Sequence, residues 1–420
     1  MAKDTLPTEK SEAESKLRPR TALLTKGFDP KLSVGSARPA VFRSSTYVFA
    51  DPEAAEHAFN VLGGRAPAGA DGRPDLIYSR FAHPNSEILE DHLVPLEAGA
   101  NHALVFNSGM AAIMTAFFTF AGPESSIVYT TPLYGGTTQL IHAFLQPFGV
   151  TAIPVRADDS DGLEKAIRES KNPCIVFLET PANPTLVMTD IRRAAEAARK
   201  HPSKPIVMID NTFLGPVFQS PFDLGCDIAL YSATKYLAGF SDMIGGVALM
   251  TQEEHYRRLA SRRSMFGNIL QPDECWILDG RLPTVAARMK LQCEGARKLA
   301  HKLHGHPKLN TVIYPELFEN PEQKRIYESQ CSGPGAIISL EFKDGKPGAF
   351  EFLRRLKIAR NAVSLGGVET LVCHPRSTTH SGTSKEELAE ARIGDDLVRL
   401  SIGVEDWHDL LSDFTQALDY

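Results

Sequence analysis

Lys235 has neighbours that suit a reactive amine better than a solvated charge. It stands in Ser232-Ala233-Thr234-Lys235-Tyr236, follows the short apolar run 228–231 and precedes a strand-like run at 247–250. Burial penalises the ammonium form, so a lysine in such a setting has a lowered pKa and offers a free amine for Schiff-base formation. Upstream, the β-branched run 206–209 ends on Asp210. An acid at that strand end could face the nitrogen of a pyridine ring. Amine and acid together point to pyridoxal 5'-phosphate (PLP), a cofactor whose ring acts as an electron sink. The same lysine also fits a surface role at a strand end, so the surrounding elements must decide between the two.

Those elements alternate. Strands are expected at 103–106, 127–130, 151–155, 174–178, 206–209, 228–231 and 247–250, with helices at 111–120, 137–147, 161–170 and 190–200. The alternation predicts right-handed βαβ units and a mostly parallel sheet with helices on both faces. Ligands in such sheets sit at the carboxyl ends of the strands. Tyr134, Glu179, Asn183, Asp210, Ser232, Thr234 and Lys235 all fall at those ends. The turn Asn107-Ser108-Gly109-Met110 joins a strand to a helix start, a geometry that offers free N–H groups to a phosphate. Many strand-to-helix turns look alike, so this turn is weak evidence by itself.

The rest of the chain divides around this core. Residues 1–75 read as an N-terminal arm, with 1–20 disordered, a strand-like stretch at 38–49, a helix at 53–62 and a Gly/Pro/Ala-rich loop at 63–75. The arm has little core of its own and is expected to pack on a neighbouring subunit. Residues 76–282 form the cofactor-binding large domain, beginning with a helix at 86–96 capped by Ser86. Residues 283–420 form a smaller α+β domain. It opens with a long helix at 283–304 and continues with extended segments at 310–314, 335–342 and 362–365. It ends on a strand at 397–403 carrying one inward arginine, Arg399, and an amphipathic helix at 405–418.

Composition excludes several classes. A net charge of −6 gives no footprint for nucleic acid or an anionic membrane. No apolar run approaches the roughly 20 residues that span a bilayer. The opening residues MAKDTLPTEKSEAESK lack the apolar centre of a signal peptide. The six cysteines form no Cys-x-x-Cys pair, so neither zinc nor a disulfide framework is indicated. A soluble cytoplasmic protein is expected.

The motifs YSRFAHP (78–84), SGM (108–110), LYGGT (133–137), ETPANPT (179–185), DNT (210–212), SATKY (232–236), VSLGGVETL (363–371), HP with TH (374–380) and VRLSIGVED (398–406) occur in one order. In this order and spacing the chain resembles the Cys/Met-metabolism PLP enzymes over residues 38–418. The resemblance implies a fold type I, aspartate aminotransferase-like α/β architecture. It also implies a homotetramer made of two close dimers. Lys235 resembles the Schiff-base lysine and Asp210 the acid at the pyridine nitrogen. Tyr134 matches the tyrosine stacked on the ring. Ser108, Gly109, Met110, Ser232 and Thr234 match the phosphate cradle. Tyr78 and Arg80 match a pair that reaches the phosphate held by the neighbouring subunit. Arg399 matches the clamp on the substrate α-carboxylate, with Ser364, Asn183 and Thr379 near it. Cys373, His83 and the Met110 side chain are expected to serve packing.

The resemblance leaves the reaction open. It implies either γ-elimination, as in methionine γ-lyases, or γ-replacement on an O-acylhomoserine, as in cystathionine γ-synthases and sulfhydrylases. A non-catalytic binding protein on the same fold is a third reading, opposed by the intact Lys235, Asp210, Tyr134 and Arg399. Val363 stands where cystathionine enzymes typically hold a glutamate, which favours a substrate with an apolar end. Gly136 stands where well-known methionine γ-lyases have a cysteine, and Phe240 where the family commonly has histidine. The loop 63–75 is longer than usual. Specificity is expected to arise at these departures.

Overall fold

The computed structural model describes residues 17–68 and 75–420. Most of the segment expected to be disordered, and residues 69–74 of the arm loop, lie outside the described residues. Disorder does not hold at the end of that first segment, because Pro19–Thr25 is a helix. Proline at its first turn presets the backbone, and Ala22 and Leu23 are buried.

A seven-stranded sheet carries the site residues. Its strands are β1 (His102–Phe106), β2 (Ser126–Thr131), β3 (Thr151–Arg156), β4 (Pro173–Glu179), β5 (Ile206–Asp210), β6 (Ile228–Ser232) and β7 (Gly246–Met250). The order is β1-β7-β6-β5-β4-β2-β3. Strand β7 runs antiparallel to both neighbours, and every other pairing is parallel. This is the mostly parallel sheet that the alternation predicts. Apart from the partly exposed edge strand β3, its strands are mostly apolar on both sides because both faces are covered. On β4, Ile175 and Phe177 pack into one core while Val176 and Leu178 pack into the other.

A second sheet follows the Val285–Leu303 helix: β8 (Leu309–Ile313), β9 (Ile337–Phe342), β10 (Arg360–Asn361), β11 (Leu371–Cys373) and β12 (Leu397–Ser401), in the order β10-β11-β12-β9-β8. All pairs are antiparallel except β10 with β11. The chain ends on the helix Trp407–Leu418.

Local expectations needed correction at three places. The first large-domain helix is Pro84–Leu93, and its N-cap is His83 rather than Ser86. The His83 ring accepts from the Ser86 N–H while the Ser86 hydroxyl accepts from the His83 N–H, a reciprocal box, and Pro84 presets the first helical position. Residues 362–365 are not a strand, because Ser364 has φ of 83°, which no strand residue adopts. The helices Glu253–Phe266, Pro272–Asp279 and Pro321–Gln330 were not foreseen.

Candidate active site

Lys235 leaves the sheet just after β6 and is held there from below. Arg288, buried on the Val285–Leu303 helix, donates to the carbonyls of Tyr236 at 2.8 Å and Leu237 at 3.1 Å. The Lys235 carbonyl accepts from Gly239 at 2.7 Å. Its side chain points away from these ties, and Nζ donates to the Ser364 hydroxyl at 2.8 Å. Burial lowers the Lys235 pKa to about 8, helped by the positive charge of Arg399 and opposed by Asp210. The amine is thus partly neutral near pH 7.

Arg399 is fully buried on β12. One of its terminal nitrogens donates to Asn183 Oδ1 at 2.9 Å and the other to the Ser364 carbonyl at 2.6 Å, while its buried Nε has no partner. The guanidinium is therefore fixed in direction and keeps donor capacity for an anion. Ser364 serves both cations, its hydroxyl taking Lys235 and its carbonyl taking Arg399. Its left-handed backbone turns the two groups inward together.

Asp210 ends β5. Its Oδ1 accepts from the Thr212 N–H at 3.1 Å and from the Thr212 hydroxyl at 2.5 Å. Burial raises its pKa, while the Thr212 bonds and the charge of Lys235 oppose the rise. The Thr212 hydroxyl also accepts from the Ser232 N–H at 2.9 Å, which ties the acid to the strand end before the lysine.

The expected anion cradle lies beside β6. Ser108 caps the helix Gly109–Phe120, its hydroxyl accepting from the Ala111 N–H at 3.0 Å. A Cβ at Gly109 would come within 3.0 Å of Ser232 Cα and Cβ, and one at Gly246 would collide with the Ser108 carbonyl. Two backbones close on each other here because both positions are glycine. Thr234 Oγ1 accepts from the Gly245 N–H at 3.1 Å and fixes the far side. These residues fit PLP: a lowered amine, an acid on the adjacent strand end, and a helix N-terminus whose glycine leaves room for a phosphate.

Tyr134 follows β2 and is 42% exposed, open to a stacking partner. Its N–H donates to Glu179 Oε2 at 2.7 Å. Beside the ring stands Gly136, where a Cβ would lie 2.7 Å from Tyr134 Cε1 and 3.0 Å from Met110 Sδ. Thr379 meets the same turn, its carbonyl 3.0 Å from where a Gly135 Cβ would be, and its hydroxyl pairs with His380 Nδ1 at 2.9 Å. Burial and then the Arg399 charge hold the His380 imidazole down at about 4, so it is neutral.

The structure thus brings Lys235, Ser364, Arg399 and Asn183 into one bonded chain, which Glu179 extends to the Tyr134 backbone, and sets Asp210, Ser232, Thr234, Ser108, Gly109 and Met110 alongside. Tyr78 and Arg80 stand apart. Arg80 donates to the Ser264 carbonyl at 2.7 Å and lies over the Phe81 ring, and Tyr78 is 42% exposed. His83 and Cys373 have packing roles, as expected: the His83 ring caps a helix and bonds the Leu270 carbonyl, and Cys373 is buried on β11. Phe240 lies under the guanidiniums of Arg281 and Arg288, at 4.8 and 5.5 Å. Sequence reasoning missed Thr212, Arg288 and the bonding role of Glu179. Thr212 was within reach, since a hydroxyl two residues beyond a strand-end acid is a common local partner.

Comparison with known proteins identifies the family. Residues 20–419 match the family described as "Cys/Met metabolism PLP-dependent enzyme". An L-methionine gamma-lyase of Pseudomonas deceptionensis is 36% identical over 93% of this chain and 95% of its own length. A cystathionine gamma-synthase of Mycobacterium bovis is 34% identical over 95% and 96%. The solved cystathionine gamma-lyase of Lactobacillus plantarum, complexed with L-serine, superposes with a TM-score of 0.86 at 32% identity, covering 96% of this chain and 99% of that one. The chain belongs to the Cys/Met-metabolism PLP-dependent enzymes and has their fold type I architecture.

Proposed function

Within the Cys/Met-metabolism PLP enzymes, we propose that this chain catalyses γ-elimination on a sulfur amino acid of the methionine type. Water and methionine would give 2-oxobutanoate, ammonia and methanethiol. PLP, when bound, supplies an aldehyde for the substrate amine and a ring that withdraws electrons from the α-carbon. Ser108, Gly109, Met110, Ser232 and Thr234 would hold its phosphate, Tyr134 its ring face, and Asp210 its ring nitrogen.

The protein's own groups do the rest. Arg399 takes the α-carboxylate with the donor capacity left to it, and Asn183 and Ser364 keep it from swinging. Thr379 lines the same pocket. Lys235, partly neutral, would accept the α-proton, give it up to the bound cofactor, and so be free to assist loss of a β-proton, with the Ser364 hydroxyl steadying Nζ. The Tyr134 hydroxyl donates a proton to the departing γ-sulfur.

The observation that carries the choice of substrate is Val363, 53% exposed and next to Ser364. It offers an apolar surface to the distal end of a substrate held at Arg399. A glutamate there would pair with a distal ammonium, so Val363→Glu should shift preference from methionine toward cystathionine. An unchanged ratio of the two kcat/KM values would remove Val363 from the specificity argument. One observation favours a γ-replacement reading: Gly136, where methionine γ-lyases carry a cysteine, lets the Tyr134 ring and the Met110 sulfur close on the backbone, so a side chain there would have to displace the ring.

We further propose that residues 76–282 and 283–420 act as the cofactor and capping domains, and that 1–75 is an arm onto a second subunit of a homotetramer. Leu32, Val34 and Val48 are 78, 100 and 97% exposed on that arm, an apolar set that a partner surface would cover. Tyr78 and Arg80, remote from Lys235 in their own chain, would then complete the partner's site.

A further inference from the structure

Glu179 ends β4 with its side chain buried, and Asp210 is its register partner on β5. It pairs with no cation among the described residues. Instead its two oxygens each take a backbone N–H from a different functional turn. Oε2 accepts from Tyr134 at 2.7 Å, in the turn after β2. Oε1 accepts from Asn183 at 2.9 Å, in the turn after β4. Asn183 in turn accepts from Arg399 at 2.9 Å.

From this geometry we propose that Glu179 is a positioning residue that sets the separation between the Tyr134 ring and the Arg399 carboxylate clamp. The inference rests on the roles proposed above for those two groups. γ-Chemistry needs such a device. The carboxylate is gripped at one end of the substrate and the γ-bond is broken at the other, and a displacement near 1 Å at either end costs rate heavily. Tyr134 and Asn183 belong to separate loops on separate strands. The Glu179 carboxyl bonds both turns directly, so it can hold them at one distance.

Burial, then the neighbouring Asp210, push the Glu179 carboxyl up to about 8, while the two backbone N–H groups favour its acceptor-only form. Glu179→Gln preserves size. It removes one acceptor, because the amide NH₂ cannot receive a backbone N–H. Glu179→Asp keeps both acceptors on a shorter stem and provides a second, independent displacement.

The holoenzymes of both variants and of the wild type are compared in cofactor content, in visible circular dichroism of the bound cofactor, and in glycine affinity by titration of that band. Glycine has the carboxylate but no γ-group. Both variants should keep full cofactor content. Their dichroism should fall by half or more as the Tyr134 face shifts, or glycine should bind about tenfold more weakly as Asn183 releases Arg399, a loss of the size expected for one buried hydrogen bond. With methionine, kcat should fall more than KM rises. Dichroism and glycine affinity both within twofold of wild type would overturn the proposal, as would loss of cofactor content in proportion to activity. Failure of the underlying reading would show separately, because Arg399→Ala would then leave glycine binding unaltered.

Discussion

Arg399 shows how much of this site rests on geometry inside single side chains. Its planar fork is held by two acceptors, and a lysine could satisfy only one of them while pointing at a ligand. Arg399→Lys should raise KM for any α-amino acid at least tenfold, while the cofactor absorbance stays at wild-type intensity; an unchanged KM would remove the clamp. Lys235 makes a prediction in pH. Its lowered pKa means that the neutral amine is half-populated near pH 8 rather than 10.5. Cofactor capture by the apoprotein, followed by absorbance near 420 nm, should accelerate up to about pH 8 and then level off. Continued acceleration beyond pH 9 would show an unperturbed amine. Lys235, Asp210 and Arg399 were legible in the sequence because their chemistry demands a residue type. Glu179 was legible only as a polar residue at a strand end. Its partners are backbone N–H groups, which every residue but proline carries and no sequence singles out.

At the level of elements, the sheet was readable because its strands are short, apolar and separated by helices of the right period. What escaped has physical reasons. Strand β11 has three residues, too few for a pattern to register. The Glu253–Phe266 helix has charged residues at six of its fourteen positions, Glu253, Glu254, Arg257, Arg258, Arg262 and Arg263, and shows no clear apolar stripe. The turn at Ser364 depends on a backbone conformation that serine rarely adopts. The close approach of β7 to the Ser108 turn gives a test at this scale. Gly246→Ala drives a methyl group into the Ser108 carbonyl and must push the anion cradle outward. It should destabilise the fold by about 1–3 kcal/mol, as overpacking does, and weaken cofactor affinity more than tenfold. Wild-type cofactor affinity in a folded Gly246→Ala protein would mean that the cradle lies elsewhere.

At the scale of the molecule, stability and assembly both carry expectations. Glu97 is buried under the large sheet, where it takes the Tyr231 hydroxyl, and burial raises its pKa from 4.5 to about 8. A carboxyl with a raised folded pKa contributes stability that is complete below the unfolded value and is lost as pH rises through the folded one. Melting temperature should therefore decline between pH 4.5 and 8, and Glu97→Gln should flatten part of that slope. An identical slope in the variant would assign the decline to other groups. Assembly has a sharper test. If Arg80 serves the neighbour's site, Arg80→Ala and Lys235→Ala subunits are each impaired alone but complement one another. Dissociating and reassociating an equal mixture should restore about one quarter of wild-type sites, since half the pairs are mixed and each mixed pair has one intact site. No recovery would place Arg80 outside the partner's site. The cues to such an arrangement are few: an arm with little core of its own, and two residues, Tyr78 and Arg80, of which Arg80 bonds the Ser264 carbonyl rather than a group near Lys235.

The central claim is γ-elimination, and product analysis with L-methionine as the sole substrate tests it most directly. The holoenzyme should release 2-oxobutanoate, ammonia and methanethiol in equal amounts, and Lys235→Ala should release none. Turnover only when O-acetyl- or O-succinylhomoserine is supplied together with a thiol, with methionine inert, would contradict the account and make the enzyme a γ-replacement transferase.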